Sequence, residues 1–142
     1  MKEIIKNKGA VYCSSNNWDS LNNKIKELNP STLFILVDTN TKKDCLPLFL
    51  KKTSFNNSFK VLEIPEGEIN KNINTCAILW NKLSEDGADR NSLIINLGGG
   101  VITDMGGFVA STFKRGVSFI NIPTTLLVMV DASVGGKNGV DL

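Results

Sequence analysis

Gly98-Gly99-Gly100 follows the strongest strand pattern of the chain, Leu93-Ile94-Ile95-Asn96-Leu97, and precedes a segment of helical pattern. That order of strand, glycines and helix is chemistry for an anion. Glycines let the backbone approach a diphosphate, and the following helix presents free N–H groups and a positive dipole end. No GKS or GKT follows, so this is not a P-loop, and the spacing is not GxGxxG. On glycine spacing alone, a tight turn with no ligand is an equal alternative. Other polar residues follow apolar strands in the same way: Asp38, Glu68 with Lys71, and Thr124-Thr125. In a doubly wound sheet such positions converge on one crevice, where a carboxylate accepts from ribose hydroxyls and a lysine neutralises phosphate. Each also has a plainer role, Asp38 and Thr124 as helix caps and Lys71 as solvated surface. Asp104 falls in the first turn of the helix after the glycines, where a carboxylate also complements the dipole, and Arg115 ends that helix as a favourable cation. Asp131 and Lys137 flank Gly135-Gly136 and make either a ligand-binding pair or an ordinary salt bridge.

What is absent narrows the chemistry further. The 142 residues include no histidine, which removes the usual neutral-pH base, a common zinc ligand and any Ser-His or Cys-His pair. Three scattered cysteines form no CxxC motif; they read as reduced cytosolic thiols without a catalytic role. A net charge of +2 gives no field for nucleic acid, and no apolar run is long enough to span a bilayer or act as a secretion signal. A hydrophobic share of 42% against 21% charged residues describes a globular domain.

The elements that must position these residues alternate between strands and helices, the pattern of an α/β protein with a Rossmann-like parallel sheet flanked by helices. Strands are expected at 10–13, 33–37, 59–64, 92–97 and 118–122. A first helix starts at a cap from Asp19 or Ser20, packs through Leu21, Ile25 and Leu28, and stops at Asn29-Pro30. Helices follow at 43–51, at 70–85 with Ala77, Ile78, Trp80 and Leu83 as the packing face, and at 102–113. Residues 55–58 form a turn and 65–68 a loop. Pro123-Thr124-Thr125 opens a last helix to Val130, and 131–142 is a glycine-rich loop. No repeat or linker divides the chain, so residues 1–142 read as one domain. It stops at Val140-Asp141-Leu142 without a cap or polar tail, as a truncated protein would.

The segment GGGVITDMGGFVASTFKRGVSFINIPTTLLVMVDASVGGKNGVDL, from Gly98 to Leu142, closely resembles the signature region of the 3-dehydroquinate synthase family, GGGVxGDxxGFxAxxxxRGxxxxxxPTTLLxxxDxSxGGKxGxN. Glu66-Gly67-Glu68-Ile69-Asn70-Lys71 resembles its GExxK element, and Val37-Asp38-Thr39-Asn40 its first acidic loop. The resemblance implies an NAD-binding N-terminal domain whose cofactor contacts come from Asp38, from Glu66, Gly67, Glu68, Ile69, Asn70 and Lys71, from Gly99, Gly100, Val101, Ile102, Thr103 and Asp104, and from Thr124, Thr125 and Lys137. It implies catalytic roles for Asp131, Lys137 and Arg115, the last reaching a substrate phosphate from a neighbouring subunit. The implied reaction converts 3-deoxy-D-arabino-heptulosonate 7-phosphate to 3-dehydroquinate and phosphate, by transient oxidation, phosphate elimination, re-reduction, ring opening and aldol closure in the shikimate pathway. The whole protein would be a cytoplasmic homodimer with zinc or another divalent metal held by a C-terminal domain absent here. This chain contributes no metal ligands, and alone it is expected to bind NAD weakly at best and to turn nothing over.

Thr103 departs from the pattern, standing where the family has glycine; its side chain either crowds a diphosphate or adds a contact to it. Three alternatives stay open: another sugar-phosphate cyclase, a glycerol-dehydrogenase-like NAD enzyme, or a bare nucleotide-binding module. The Arg115-Gly116, Pro123-to-Leu127 and Gly135-Gly136-Lys137 elements favour the synthase.

Overall fold

The computed structural model describes residues 2–6, 9–13, 17–55 and 58–124, with side chains from residue 18 onward. Strands β1 (Lys2–Lys6) and β2 (Gly9–Cys13) pair antiparallel as a separate two-stranded sheet. The sequence reading contained the second of these strands but not the first. Four strands form the main sheet: β3 (Leu33–Asp38), β4 (Phe59–Ile64), β5 (Leu93–Gly98) and β6 (Ser118–Pro123), in the order β4-β3-β5-β6 and all parallel.

The near-continuous apolar runs of β3 and β5 are required because both faces of the sheet are covered. Residues alternate between the faces. Phe34, Leu36, Leu62, Ile64 and Ile94 pack under helices α4 (Ile73–Glu85) and α5 (Gly100–Thr112). Leu33, Ile35, Val37, Leu93, Ile95 and Leu97 pack under α1 (Asn17–Leu28) and α3 (Leu46–Lys52). The chain leaves β3 through α2 (Thr39–Asp44) and α3 on one face, and leaves β4 and β5 through α4 and α5 on the other. Strand connections change face around the C-terminal end of β3, the type of place where open α/β sheets take ligands.

Several boundaries differ from the sequence reading, each for a local reason. Helix α1 begins at Asn17, which puts Asp19 in its first turn and leaves Leu28 at the exposed end. The helix expected at 43–51 is two short helices meeting at Cys45, because Pro47 at the start of α3 has no N–H to continue the first. The helix expected at 70–85 opens as a 3₁₀ turn, Glu68–Asn70, and becomes α-helical at Ile73. Its buried face is Cys76, Leu79 and Leu83, spaced i, i+3, i+7, while Ile78 is 65% exposed and Ala77 exposed. The apolar cluster around Ile78 conceals which stripe faces inward. Helix α5 starts two residues earlier than expected, on Gly100, since glycine carries no helix signal. Pro123 ends β6, and the Thr124 amide donates to the Gly98 carbonyl at 3.1 Å. The segments 56–57 and 125–142, with the expected last helix and glycine-rich loop, lie outside the described residues.

Candidate functional site

Four chain ends meet the C-terminal edge of the sheet: Asp38 after β3, residues 65–72 after β4, Gly98 to Gly100 after β5, and Thr124 after β6. Asp38 caps α2. Its Oδ1 accepts from the Thr41 amide at 2.8 Å and its own amide donates to Thr41 Oγ1 at 3.0 Å, so the plainer reading of Asp38 holds and leaves its second oxygen free of the cap. Asn72 caps α4 in the same way, accepting from the Thr75 amide at 3.0 Å. Helix α5 has no side-chain cap among the described residues: its N-cap is Gly99, and no side chain accepts from its first-turn amides. The first-turn amides of α5 therefore have no partner within the helix, on a glycine backbone at the end of a fully buried strand.

The loop between β4 and α4 fastens to itself and then to α5. Asn70 Nδ2 donates to the carbonyls of Pro65 at 3.1 Å and Glu66 at 3.0 Å, and Asn72 Nδ2 to that of Ile69 at 2.9 Å. Gly67 takes a φ of 111°, which a side chain would resist. The loop so formed holds Glu66 and Ile69 out in solvent and turns Lys71 inward. Lys71 Nζ donates to Asp104 Oδ2 at 2.9 Å and lies 3.8 Å from Glu68 Oε1. Only 16% of the Lys71 side chain and 10% of that of Asp104 are exposed, so the solvated-surface reading of Lys71 is overturned.

Asp104 is the fifth residue of α5, in its second turn, which corrects its placement in the first. Dipole complementarity fades beyond the terminal turn and does not explain it. Its other oxygen, Oδ1, is buried and accepts no hydrogen bond from the described residues. A buried carboxylate oxygen left open costs on the order of 1–3 kcal/mol, which a hydroxyl donor placed beside it would recover. Thr103 resolves its own alternatives differently from either expectation. It is 1% exposed, and its Oγ1 approaches the carbonyls of Gly99 at 3.2 Å and Gly100 at 3.4 Å. The hydroxyl is directed into the helix's own first turn.

Arg115 is not with the others. It ends the 3₁₀ turn Phe113–Arg115 after α5, at the edge where strands begin. The 13 residues of α5 separate it from the glycines by about 20 Å. Lys114, Arg115 and Gly116 have φ of 46°, 66° and 106°, a left-handed run that costs the two non-glycine residues on the order of 1 kcal/mol or more each. Thr125, Asp131 and Lys137 lie outside the described residues. The described cysteine thiols are unsuited to nucleophilic work: burial raises Cys76 to about 11, and burial with Asp44 and Asp38 raises Cys45. Among the described residues, no three His, Cys, Asp or Glu side chains group to hold a metal, and no helix is long and apolar enough to cross a membrane.

Comparison with known proteins decides the family. The family model for the 3-dehydroquinate synthase N-terminal region matches residues 61–142. The chain belongs to the 3-dehydroquinate synthase family. It is similar to the 3-dehydroquinate synthase of Parabacteroides distasonis, with 51% identity over 117 residues, which cover 82% of this chain and 33% of that relative. Among solved structures, 2-deoxy-scyllo-inosose synthase complexed with carbaglucose-6-phosphate, NAD+ and Co2+ matches at a TM-score of 0.80 and 23% identity, over 88% of this chain and 35% of that one. At that identity the likeness establishes the fold alone. The 2-epi-5-epi-valiolone synthase of Streptomyces hygroscopicus, with NAD+ and Zn2+ bound, matches at a TM-score of 0.69 and 28% identity, over 80% and 32% of the two chains. The chain thus spans about a third of the length of each of these proteins.

Sequence reasoning missed Asn96, Asn121 and Gly106. Asn96 is fully buried in β5, beside Asn121 of β6 and beneath Gly106 of α5. The signal was present: one asparagine in the middle of each of two apolar strands, Ile95-Asn96-Leu97 and Ile120-Asn121-Ile122.

Proposed function

We propose that residues 1–142 are the NAD-binding N-terminal domain of a cytoplasmic 3-dehydroquinate synthase, whose second domain supplies the metal and the rest of the substrate site. The observation that carries this reading is the uncapped glycine start of α5 beside the open, buried Oδ1 of Asp104, in a chain of this family. The residues fit the cofactor. The amides at Gly99, Gly100 and Val101 suit a diphosphate, Asp104 Oδ1 suits a ribose hydroxyl, and Lys71 holds the Asp104 carboxylate in place while adding positive charge. Asp38, the loop of Glu66, Gly67, Glu68, Ile69 and Asn70, the turn of Ile102 and Thr103, and Thr124 with Thr125 complete the cofactor contacts we assign.

Held by these residues, NAD would supply reversible hydride acceptance. The chain's part is to fix the cofactor at the sheet edge and keep its charged groups paired. Asp131 and Lys137 are assigned to the substrate side, with Lys137 also contacting NAD. The substrate is 3-deoxy-D-arabino-heptulosonate 7-phosphate and the products are 3-dehydroquinate and phosphate, so the whole protein is a phosphate-eliminating lyase. We assign zinc or another divalent metal to the second domain and derive no step through it.

Arg115 stands at the far edge of its own sheet, which supports a homodimer in which it serves the partner's substrate phosphate. Two assays on the whole gene product test this reading. It should release phosphate from the heptulosonate in an NAD-dependent manner; absence of release with NAD and zinc present would refute the assignment. Arg115→Ala and Lys137→Ala subunits, each nearly inactive alone, should regain activity when mixed. Failure of that mixture to recover would place Arg115 in its own subunit's site or outside the chemistry.

A further inference from the structure

Helix α5 touches β5 at two points where a side chain is missing. At Gly98, a Cβ would lie 2.7 Å from both the Cβ and Cγ1 of Ile102. At Gly106, a Cβ would overlap Asn96 Oδ1 and come within 2.8 Å of its Nδ2. The two points are in step. Ile102 to Gly106 advances four residues along the helix, about 6 Å, and Gly98 to Asn96 retreats two residues along the strand, about 6.6 Å.

The lower point rests on a fixed support. Asn96 is 0% exposed, and its Nδ2 donates to Asn121 Oδ1 at 3.0 Å across the β5–β6 pair. Its Oδ1 accepts no conventional hydrogen bond and faces the backbone of Gly106, where the glycine α-hydrogens are its nearest partners for a weak C–H···O contact. A buried asparagine amide held on both sides cannot rotate away from a new methyl group. Gly106 also occupies a position where the family signature specifies no residue, whereas Thr103, one turn before it, replaces the signature glycine.

We propose that Asn96, Asn121 and Gly106 are positioning residues that set the height and register of α5 on the sheet, and thereby aim its first-turn amides and Asp104 at the nucleotide. This rests on the NAD reading above for its consequence, though the seating of the helix stands apart from it. Trp80 of α4 gives an independent report, since it packs on Phe108 at 6.1 Å between ring centroids and donates from Nε1 to Thr112 Oγ1 at 3.1 Å, both on α5.

The test compares Gly106→Ala, Asn96→Ala and the double variant in a Trp18→Phe background, with Trp80 emission, thermal unfolding and titration with NAD. Gly106→Ala should shift Trp80 emission and weaken NAD binding about tenfold or more, as an ångström-scale misplacement does. The double variant should return both readouts close to the parent, because removing the amide makes room for the methyl. Asn96→Ala alone, which leaves a void beneath Gly106, should lower the melting temperature and weaken NAD binding more than the double variant does, in which the methyl refills that space. Unshifted Trp80 emission in Gly106→Ala, or no recovery in the double variant, would overturn the seating. A shifted emission with unchanged NAD affinity would overturn the link to the site. A whole gene product that does not bind NAD would overturn the NAD reading and that link, leaving the emission result to decide the seating alone.

Discussion

Where the strands of the parallel sheet begin, Asp89 Oδ1 accepts from Ser31 Oγ at 2.6 Å and from the Asn91 amide at 2.8 Å, while the Asp89 amide donates to Ser92 Oγ at 3.0 Å. Where the strands end, Asp104 keeps one buried oxygen without a donor and α5 has no side-chain cap. The same residue types thus close their polar groups at one edge and leave them open at the other. A hollow alone does not mark the site: a cavity of about 240 Å³ lies beside Pro30, Ser31, Arg90 and Asn91, at the closed edge. Open hydrogen-bonding capacity in a buried, rigid setting separates the edges better than volume does, because the missing donors must come from a ligand.

The largest effect that would break this contrast belongs to Lys71. Lys71→Met leaves the Asp104 carboxylate enclosed without its cation, and breaking such a pair costs about 3 kcal/mol. Urea unfolding should show a loss of that size, and a change under about 1 kcal/mol would mean that the pair is effectively solvated. Next comes Asp104→Ala, which should weaken NAD binding by roughly 1–3 kcal/mol by calorimetry, the value of a charged hydrogen bond. Unchanged affinity would leave the glycine turn as a turn only. Asn72→Ala removes the cap of α4 and should lower stability by about 1 kcal/mol in the same unfolding assay.

The smallest effect lies at the closed edge. The hydrogen bond from Ser31, followed by that from Asn91, holds the Asp89 carboxyl below its ordinary value of 3.8. The folded state therefore binds fewer protons than the unfolded one, so this stabilisation is complete above that value and is lost as pH falls through the lower folded value. Asp89→Asn should flatten the acid side of the stability profile and leave NAD affinity unchanged. A profile of unaltered slope would show that the Ser31 and Asn91 contacts do not favour the charged form.

The apolar runs of β3 and β5 made the parallel sheet legible, since only strands covered on both faces tolerate such sequences. The glycine turn was legible for a similar reason, as few backbones other than a close strand-to-helix approach need Gly98-Gly99-Gly100. The inward face of α4 was not, because Ile78 and Leu79 are equally apolar and only the packed fold chooses between them. Nor was the enclosure of Lys71. It depends on the bends of the 65–72 loop around Gly67 meeting a residue 33 positions after Lys71, and no local spacing encodes such a meeting. The distance of Arg115 from the glycines followed from the length of α5, yet the motif text places both in one signature.

The most direct test of the central claim is an amide-resolved NMR titration of the whole gene product with NAD. The account predicts saturable shifts at Gly99, Gly100, Val101, Asp104 and the 66–71 loop, with Arg90, Asn91 and Lys114 unmoved. Shifts centred on Ser31, Arg90 and Asn91, or none at the glycine turn at saturating NAD, would contradict it.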